Sequence, residues 1–244
     1  MKLLSALAAT LFALAIWQGI VSLIGLPKFI LPGPALVAET WWQNRWIIAE
    51  HTWVTAVEVI IGLACGTVLG VVTALQLANS RAARVLVQPM LVFTQALPVF
   101  ALAPLLTLWL GYGLWSKVAM AVLIIYFPIT SSFFDGLMRT PPGYLDLART
   151  MQASRRAVLW HIRIPAALPS LASGMRLAAV YAPIGAVIGE WVGSSQGLGY
   201  LMLLANGRAK TDLMFAAMLT LGVFSILLHM VVRRATAGIA GETR

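Results

Sequence analysis

Six apolar runs, each approaching or exceeding the length needed to cross a lipid bilayer, govern what this chain can fold into. They fall at 3–26, 53–78, 85–110, 118–134, 177–192 and 213–232, and the segments between them carry most of the charge. A helix rises about 1.5 Å per residue and the hydrocarbon layer is about 30 Å thick, so about 20 apolar residues span it. The runs 118–134 and 177–192 are short and can borrow a turn at either end. None alternates apolar and polar residues with period two, as a membrane barrel strand does, so all six are read as helices. Lipid is the natural solvent for a chain that is 60% hydrophobic and 10% charged. A soluble domain carries about 25% charged residues, and this balance in water would expose large apolar patches.

The first run outlasts the 7–15-residue core of a secretory signal, so 3–26 is expected to stay as an anchor. The lone Cys65 lies in an apolar run, excludes a disulfide framework within the chain and reads as a small packing residue. Charge then orients the spans. With the N-terminus inside, Lys2, Arg81, Arg84, Arg139, Arg149, Arg155, Arg156, Arg163, Arg176, Arg233, Arg234 and Arg244 fall on the inner side; Lys28, Arg45, Lys117, Arg208 and Lys210 fall outside. Twelve against five favours cytoplasmic termini. The net charge of +9 does not point to nucleic acid, since no basic helix carries interleaved aromatics. The expectation is an all-α integral membrane protein, one transmembrane domain over 1–244 with six spans. Outside the spans, Pro27 to Pro34 is a stiff segment, and 35–50, with Trp41, Trp42 and Trp46 among polar residues, reads as an outer interfacial helix.

The inner segment 135–176 is long for a helix–helix connection, and loops of that size are usually functional. Pro141-Pro142-Gly143 ends the fourth helix, Tyr144 to Met151 are good helix formers, and Ala153-Ser154 interrupts them. Ser154 can cap a second short helix through His161, after which Ile164-Pro165 and Leu168-Pro169 close the unit. Two short basic helices projecting from a membrane suit docking into a groove on another protein.

These residues resemble a known family. Asp146-Leu147-Ala148-Arg149-Thr150-Met151-Gln152-Ala153-Ser154, followed by Ile164-Pro165-Ala166-Ala167-Leu168-Pro169 and Gly174, is similar to the "EAA" loop of binding-protein-dependent ABC permeases. Asp146, Ala148, Ala153, Ser154, Pro165, Pro169 and Gly174 match or nearly match that pattern; Arg149, Gln152 and Arg155 lie within it. Asp146 stands where the family has glutamate, and Gln152 where it has a glycine at the bend between the helices. A left-handed bend there strains glutamine by roughly 1 kcal/mol. The resemblance covers about 30–232. Leu31-Pro32-Gly33-Pro34, Gly189-Glu190-Trp191-Val192 and Gly197-Leu198-Gly199-Tyr200 look like the branch importing nitrate, taurine, alkanesulfonates and thiamine precursors. Pro98-Val99-Phe100-Ala101-Leu102-Ala103-Pro104, Trp109-Leu110-Gly111-Tyr112-Gly113 and Ala182-Pro183-Ile184-Gly185-Ala186-Val187 look most like hydroxymethylpyrimidine permeases.

The resemblance implies a multi-pass subunit of a bacterial inner membrane, with the type I importer permease fold. Its loop would insert a coupling helix into a separate ATPase, and a periplasmic or lipid-anchored binding protein would deliver substrate. The chain has no Gly-x-x-x-x-Gly-Lys-Ser/Thr, so ATP and Mg are expected on the partner ATPase and no cofactor in this chain. Six helices are few to enclose a polar path, which favours a homodimer with the path on its two-fold axis.

Within the spans, glycine recurs every fourth residue at Gly62, Gly66 and Gly70 and again at Gly185, Gly189 and Gly193, giving each helix one thin face for close packing. Glu58 and Glu190 are ionisable groups at membrane depth, which usually face protein or a cavity. Gln95, Tyr181 and Glu190 are candidates for the translocation path, and Pro98, Pro104, Pro128 and Pro183 for helix kinks. An enzyme is disfavoured. No His-Glu-x-x-His or Gly-x-Ser-x-Gly occurs, and His51, His161 and His229 are too scattered for a local metal site. An ion-coupled secondary transporter is the rival; it needs no coupling loop, and no relay of paired charges is expected in these spans.

Overall fold

The computed structural model of the chain describes residues 2–25 and 27–241, with side chains from Ala8 onward. Among the described residues every regular element is helical. In chain order they are α1 (Lys2–Ile24), α2 (Pro34–Gln43), α3 (Arg45–Asn79), α4 (Arg81–Ala96), α5 (Val99–Leu110), α6 (Leu114–Met138), α7 (Pro142–Thr150) and α8 (Arg155–Val158). A π-helical turn (Leu159–Arg163), α9 (Ile164–Gly193), α10 (Leu198–Gly207) and α11 (Thr211–Ala237) follow. Among the described residues, four stretches are long and apolar enough to cross a bilayer: α3, α6, the continuous run Arg155–Gly193 and α11. The pair α4 and α5, bent by 104°, makes a fifth if counted as one span. The first expected span, 3–26, corresponds to α1, of which Ala8–Ile24 is a shorter apolar helix. Leu26, Arg244 and the side chain of Lys2 lie outside the described residues.

Four expectations are corrected, three of them by backbone chemistry. The run 85–110 is not one helix. Leu97 is extended (φ −79, ψ 129) and Pro98 caps α5, because proline drives the residue before it out of the α region and brings no N–H of its own. Pro104, Pro128 and Pro183, in contrast, sit inside helices that continue past them. The second short helix does not stop at Ile164-Pro165: α8, the π turn and α9 form one helical run. Pro165 occupies the first turn of α9, where a missing N–H costs little, and Pro169 forfeits a single bond within a long helix. The interfacial helix 35–50 is divided at Asn44, whose N–H and Nδ2 both donate to the Thr40 carbonyl, at 3.0 and 2.8 Å. That side-chain bond competes with helix continuation, so α3 starts afresh at Arg45. Finally Lys117, counted as a loop cation, lies inside α6 and is buried.

Contacts group the chain into two units, 1–55 with 195–223 and 56–194 with 224–244. In the second unit α6 lies antiparallel to α9. Gly136 meets Ser170, Gly174 meets Ser132 and the Pro128 carbonyl, Gly185 meets Ala121, and Gly189 meets Lys117. A Cβ on Gly185 would stand 2.6 Å from the Ala121 Cα and 3.0 Å from the Met120 carbonyl oxygen. The α3 glycines approach α6 as closely: a Cβ on Gly62, Gly66 or Gly70 would lie 2.7, 2.7 or 2.8 Å from Ala121, Ile125 or Ile129. Ala121, fully buried, therefore touches both glycine rows. Lipid tails compete for apolar contact, so close backbone approach of this kind is what holds membrane helices together. Val59, Ile125, Ile129, Phe133, Ala178 and Ala182 continue the same core.

In the first unit, side chains of α3 cap the start of α10. The Gly197 N–H donates to His51 Nδ1 at 2.9 Å and the Leu198 N–H to Thr55 Oγ1 at 2.8 Å, satisfying donors that have no partner within their own helix. Gly197 itself has φ 106 and ψ 162, a region essentially reserved for glycine. Thr40 Oγ1 donates to Asp212 Oδ2 at 2.8 Å and Trp41 Nε1 to Thr220 Oγ1 at 2.9 Å, joining α2 to α11.

Candidate functional site

Two constellations in the second unit carry chemistry. The first is the segment that links α6 to α9. Pro142 takes the first turn of α7, where proline is pre-organised, and Ala148 is its buried residue. The helix ends in a Schellman motif. The Ala153 N–H donates to the Ala148 carbonyl and the Gln152 N–H to the Arg149 carbonyl, both at 2.9 Å. That pattern needs a left-handed residue between them, and Gln152 supplies it with φ 54. Ser154 then opens α8, its Oγ accepting from the Ala157 N–H at 3.2 Å. Asp146 pairs with Arg149 at 2.7 Å, but both are exposed, so the pair adds little stability. Replacing Gln152 with glycine keeps the motif and removes the strain. We expect a gain of about 1 kcal/mol, read as slower hydrogen exchange over 151–154 with transport retained.

The exposed face of α7 was not singled out from sequence. Tyr144, Leu147 and Met151 are 58, 59 and 73% exposed. Their spacing of three and four places them along one side of the helix, and the buried Ala148 flanks that stripe. In the sequence it is visible only as the spacing of Tyr144, Leu147 and Met151, three and four apart, within the motif-bearing stretch.

The second constellation is polar and lies within the spans. Glu58 of α3, Lys117 of α6 and Glu190 of α9 are 3, 3 and 1% exposed. The Glu58 carboxyl is hydrogen-bonded to that of Glu190, and Lys117 lies close enough for its charge to act on both. Glu58 Oε2 has no partner. The Lys117 ammonium donates to the carbonyls of Tyr112, Gly113 (3.0 Å) and Gly193 (3.1 Å). It thus ties the turn before α6 to the last turn of α9. The Cα and Cγ of Lys117 stand 3.1 Å from where a Cβ of Gly189 would be, so only glycine leaves room for this side chain. The cluster sets three ionisable groups side by side within spans where no relay of paired charges was expected. Its three members are far apart in the sequence, and Lys117 looked like a loop residue. Lys117→Met keeps the length of the side chain but strands three carbonyls and a carboxyl pair. We expect a loss of roughly 3 kcal/mol, seen as a lower melting temperature of the purified protein; an unchanged melting temperature would remove the structural role.

Among the path candidates, Glu190 belongs to this buried cluster, while Gln95 on α4 and Tyr181 on α9 are exposed on the single chain. Pro165, Pro169 and Gly174 lie on the first turns of α9, and Arg149, Ala153 and Arg155 line one cavity with Arg84 and Arg163. No group of His, Cys, Asp and Glu able to hold a metal occurs among the described residues.

Comparison with known proteins accounts for most of the chain. Residues 66–241 match the model of the family described as "Binding-protein-dependent transport system inner membrane component". A protein named "Probable ABC transporter permease protein" from Haemophilus influenzae is 49% identical over 228 residues, covering 93% of each chain. The "Formylaminopyrimidine transport permease protein" of Halalkalibacterium halodurans is 39% identical, covering 91% of this chain and 90% of that one. In fold, the chain is similar to one from the inward-facing MetNI methionine ABC transporter. The TM-score is 0.70 at 18% identity, over 81% of this chain and 98% of the other.

Proposed function

Since this chain belongs to the family of binding-protein-dependent transport system inner membrane components, we propose that it carries a pyrimidine of the thiamine-precursor class, such as hydroxymethylpyrimidine. The chain is a non-catalytic, multi-pass permease subunit of a bacterial inner-membrane ABC importer. Family membership implies two kinds of partner, an ATPase that binds ATP and a substrate-binding protein. The observation that carries the cargo proposal is kinship with a formylaminopyrimidine permease across nearly the whole of both chains.

Geometry supports further assignments. The coupling element is α7 with its Schellman bend, from Asp146 through Arg155, docking into the ATPase through Tyr144, Leu147 and Met151. Its exposed apolar stripe supports this, since exposed apolar residues on a short, anchored helix suit a protein groove. Pro165, Pro169 and Gly174 start the helix that transmits the movement: α8, the π turn and α9 are continuous, so displacement of α7 has a rigid lever into the membrane. Gln95 and Tyr181 line the path, and a second copy of the chain closes it, because on one chain both are exposed. The termini face the cytoplasm, on the charge balance of the loops.

Uptake of labelled hydroxymethylpyrimidine, by cells with and without the gene, tests the cargo. We expect gene-dependent uptake that unlabelled pyrimidine blocks and that taurine, alkanesulfonate and nitrate do not. Blocking by the anions instead would move the cargo to the sulfonate and nitrate importers of the same branch.

A further inference from the structure

Four arginines converge beneath the membrane spans with almost nothing to neutralise them. Arg84, Arg149, Arg155 and Arg163 line a cavity of about 490 Å³, together with the apolar side chains of Leu145 and Leu159. Arg149 is paired with Asp146, and none of the other three has a carboxylate partner among the described residues. Four guanidinium groups around one cavity, with a single carboxylate paired to one of them, make it electropositive and suited to an anion.

We propose that this cavity binds the phosphate of an anionic phospholipid headgroup. The chemistry is that of phosphate recognition, in which the planar guanidinium fork matches two oxygens at once. Two further features select a lipid over a free phosphate. The apolar wall from Leu145 and Leu159 suits the glycerol and first methylenes of a lipid and offers nothing to an inorganic ion. The lining also comes from places where spans end: Asn79 closes α3, and Arg155 and Arg163 open the run Arg155–Gly193. The cavity therefore lies on the side where these helices leave the membrane, and basic pockets between membrane helices there collect anionic lipids. Because Arg149 and Arg155 belong to the segment leading into and out of the Gln152 bend, a bound headgroup holds α7 to the base of α3 and α4. The site depends on the membrane setting of the chain and not on its cargo.

The test uses the purified permease–ATPase complex in detergent, titrated with phosphatidylglycerol, phosphatidylcholine or inorganic phosphate and read by native mass spectrometry and melting temperature. Phosphatidylglycerol is expected to bind at least about tenfold more tightly than either of the others. Arg84→Gln with Arg163→Gln abolishes that preference, and the double lysine variant keeps part of it. Arg139→Gln, which removes an exposed charge outside the cavity, leaves it as in the wild type. Equal binding of the two lipids overturns the proposal, as does equal weakening by Arg139→Gln and the double variant. Competition by inorganic phosphate at concentrations matching the lipid assigns the site to a free anion and overturns the lipid. If the double glutamine variant fails to assemble, the wild-type ligand comparison and the lysine variant still decide. The readout is binding, so it stands or fails separately from uptake and from ATPase docking.

Discussion

Gly185→Val is expected to remove the permease from the membrane. A Cβ at Gly185 would sit 2.6 Å from the Ala121 Cα, 3.0 Å from its N and 3.0 Å from the Met120 carbonyl oxygen. These are backbone atoms in the middle of α6 and cannot rotate away as a side-chain tip would. Nor can α6 retreat as a whole, because the α3 glycines hold its other side at Ala121, Ile125 and Ile129. The clash must separate α6 from α9, and overpacking without relief costs about 3 kcal/mol or more. Gly222→Val is the control: it adds the same branched side chain to a helical glycine whose Cβ position has nothing within 4 Å. Membrane abundance and melting temperature of the two variants decide the matter. Comparable levels of both proteins would mean that α6 and α9 are not locked at this crossing.

The contrast between these two glycines marks how far a sequence reading reaches. Period-four spacing identifies a thin face on α3 and α9, because residues four apart lie one above another. It does not say which helix comes against that face, and nothing local to Gly185 names Ala121. The spans themselves were legible where apolar length alone decides, as in α3 and α11. The kink expected at Pro98 is there as a full break of 104°, whereas the division of the interfacial helix at Asn44 was not foreseen, because a single side-chain bond resets the backbone there. Prolines 165 and 169 looked like stops because each lacks a donor, yet a long packed helix absorbs that loss when the ring falls in its first turn or costs one bond. The strain at Gln152 was readable in advance as a glutamine standing where a bend calls for glycine, and its φ of 54 is the left-handed geometry in question. The Glu58–Lys117–Glu190 cluster was not readable, for it joins three helices whose order in space the sequence does not state. The capping of α10 by His51 and Thr55, nearly 150 residues away, was hidden for the same reason.

Leu147→Asp is expected to leave the permease folded and the importer dead. Leu147 is 59% exposed on α7, so an aspartate there costs the isolated subunit no more than about 0.5 kcal/mol. Ala148 beside it is buried and keeps the helix anchored, which separates this test from substitutions such as Ala148→Trp that would damage loop and docking together. If α7 inserts into the ATPase, Leu147 stands at the middle of the contacting stripe between Tyr144 and Met151. A central apolar anchor replaced by a charge loses about 2 kcal/mol or more of association, which weakens ATPase retention by roughly 30-fold. Uptake and substrate-stimulated ATP hydrolysis should both disappear while membrane level and melting temperature stay at wild-type values. Leu147→Met, which restores apolar area, should recover most of both activities. An aspartate variant that still co-purifies with its ATPase and still transports would show that this face meets solvent, and coupling would then have to run through the Arg155–Arg163 end of the lever instead.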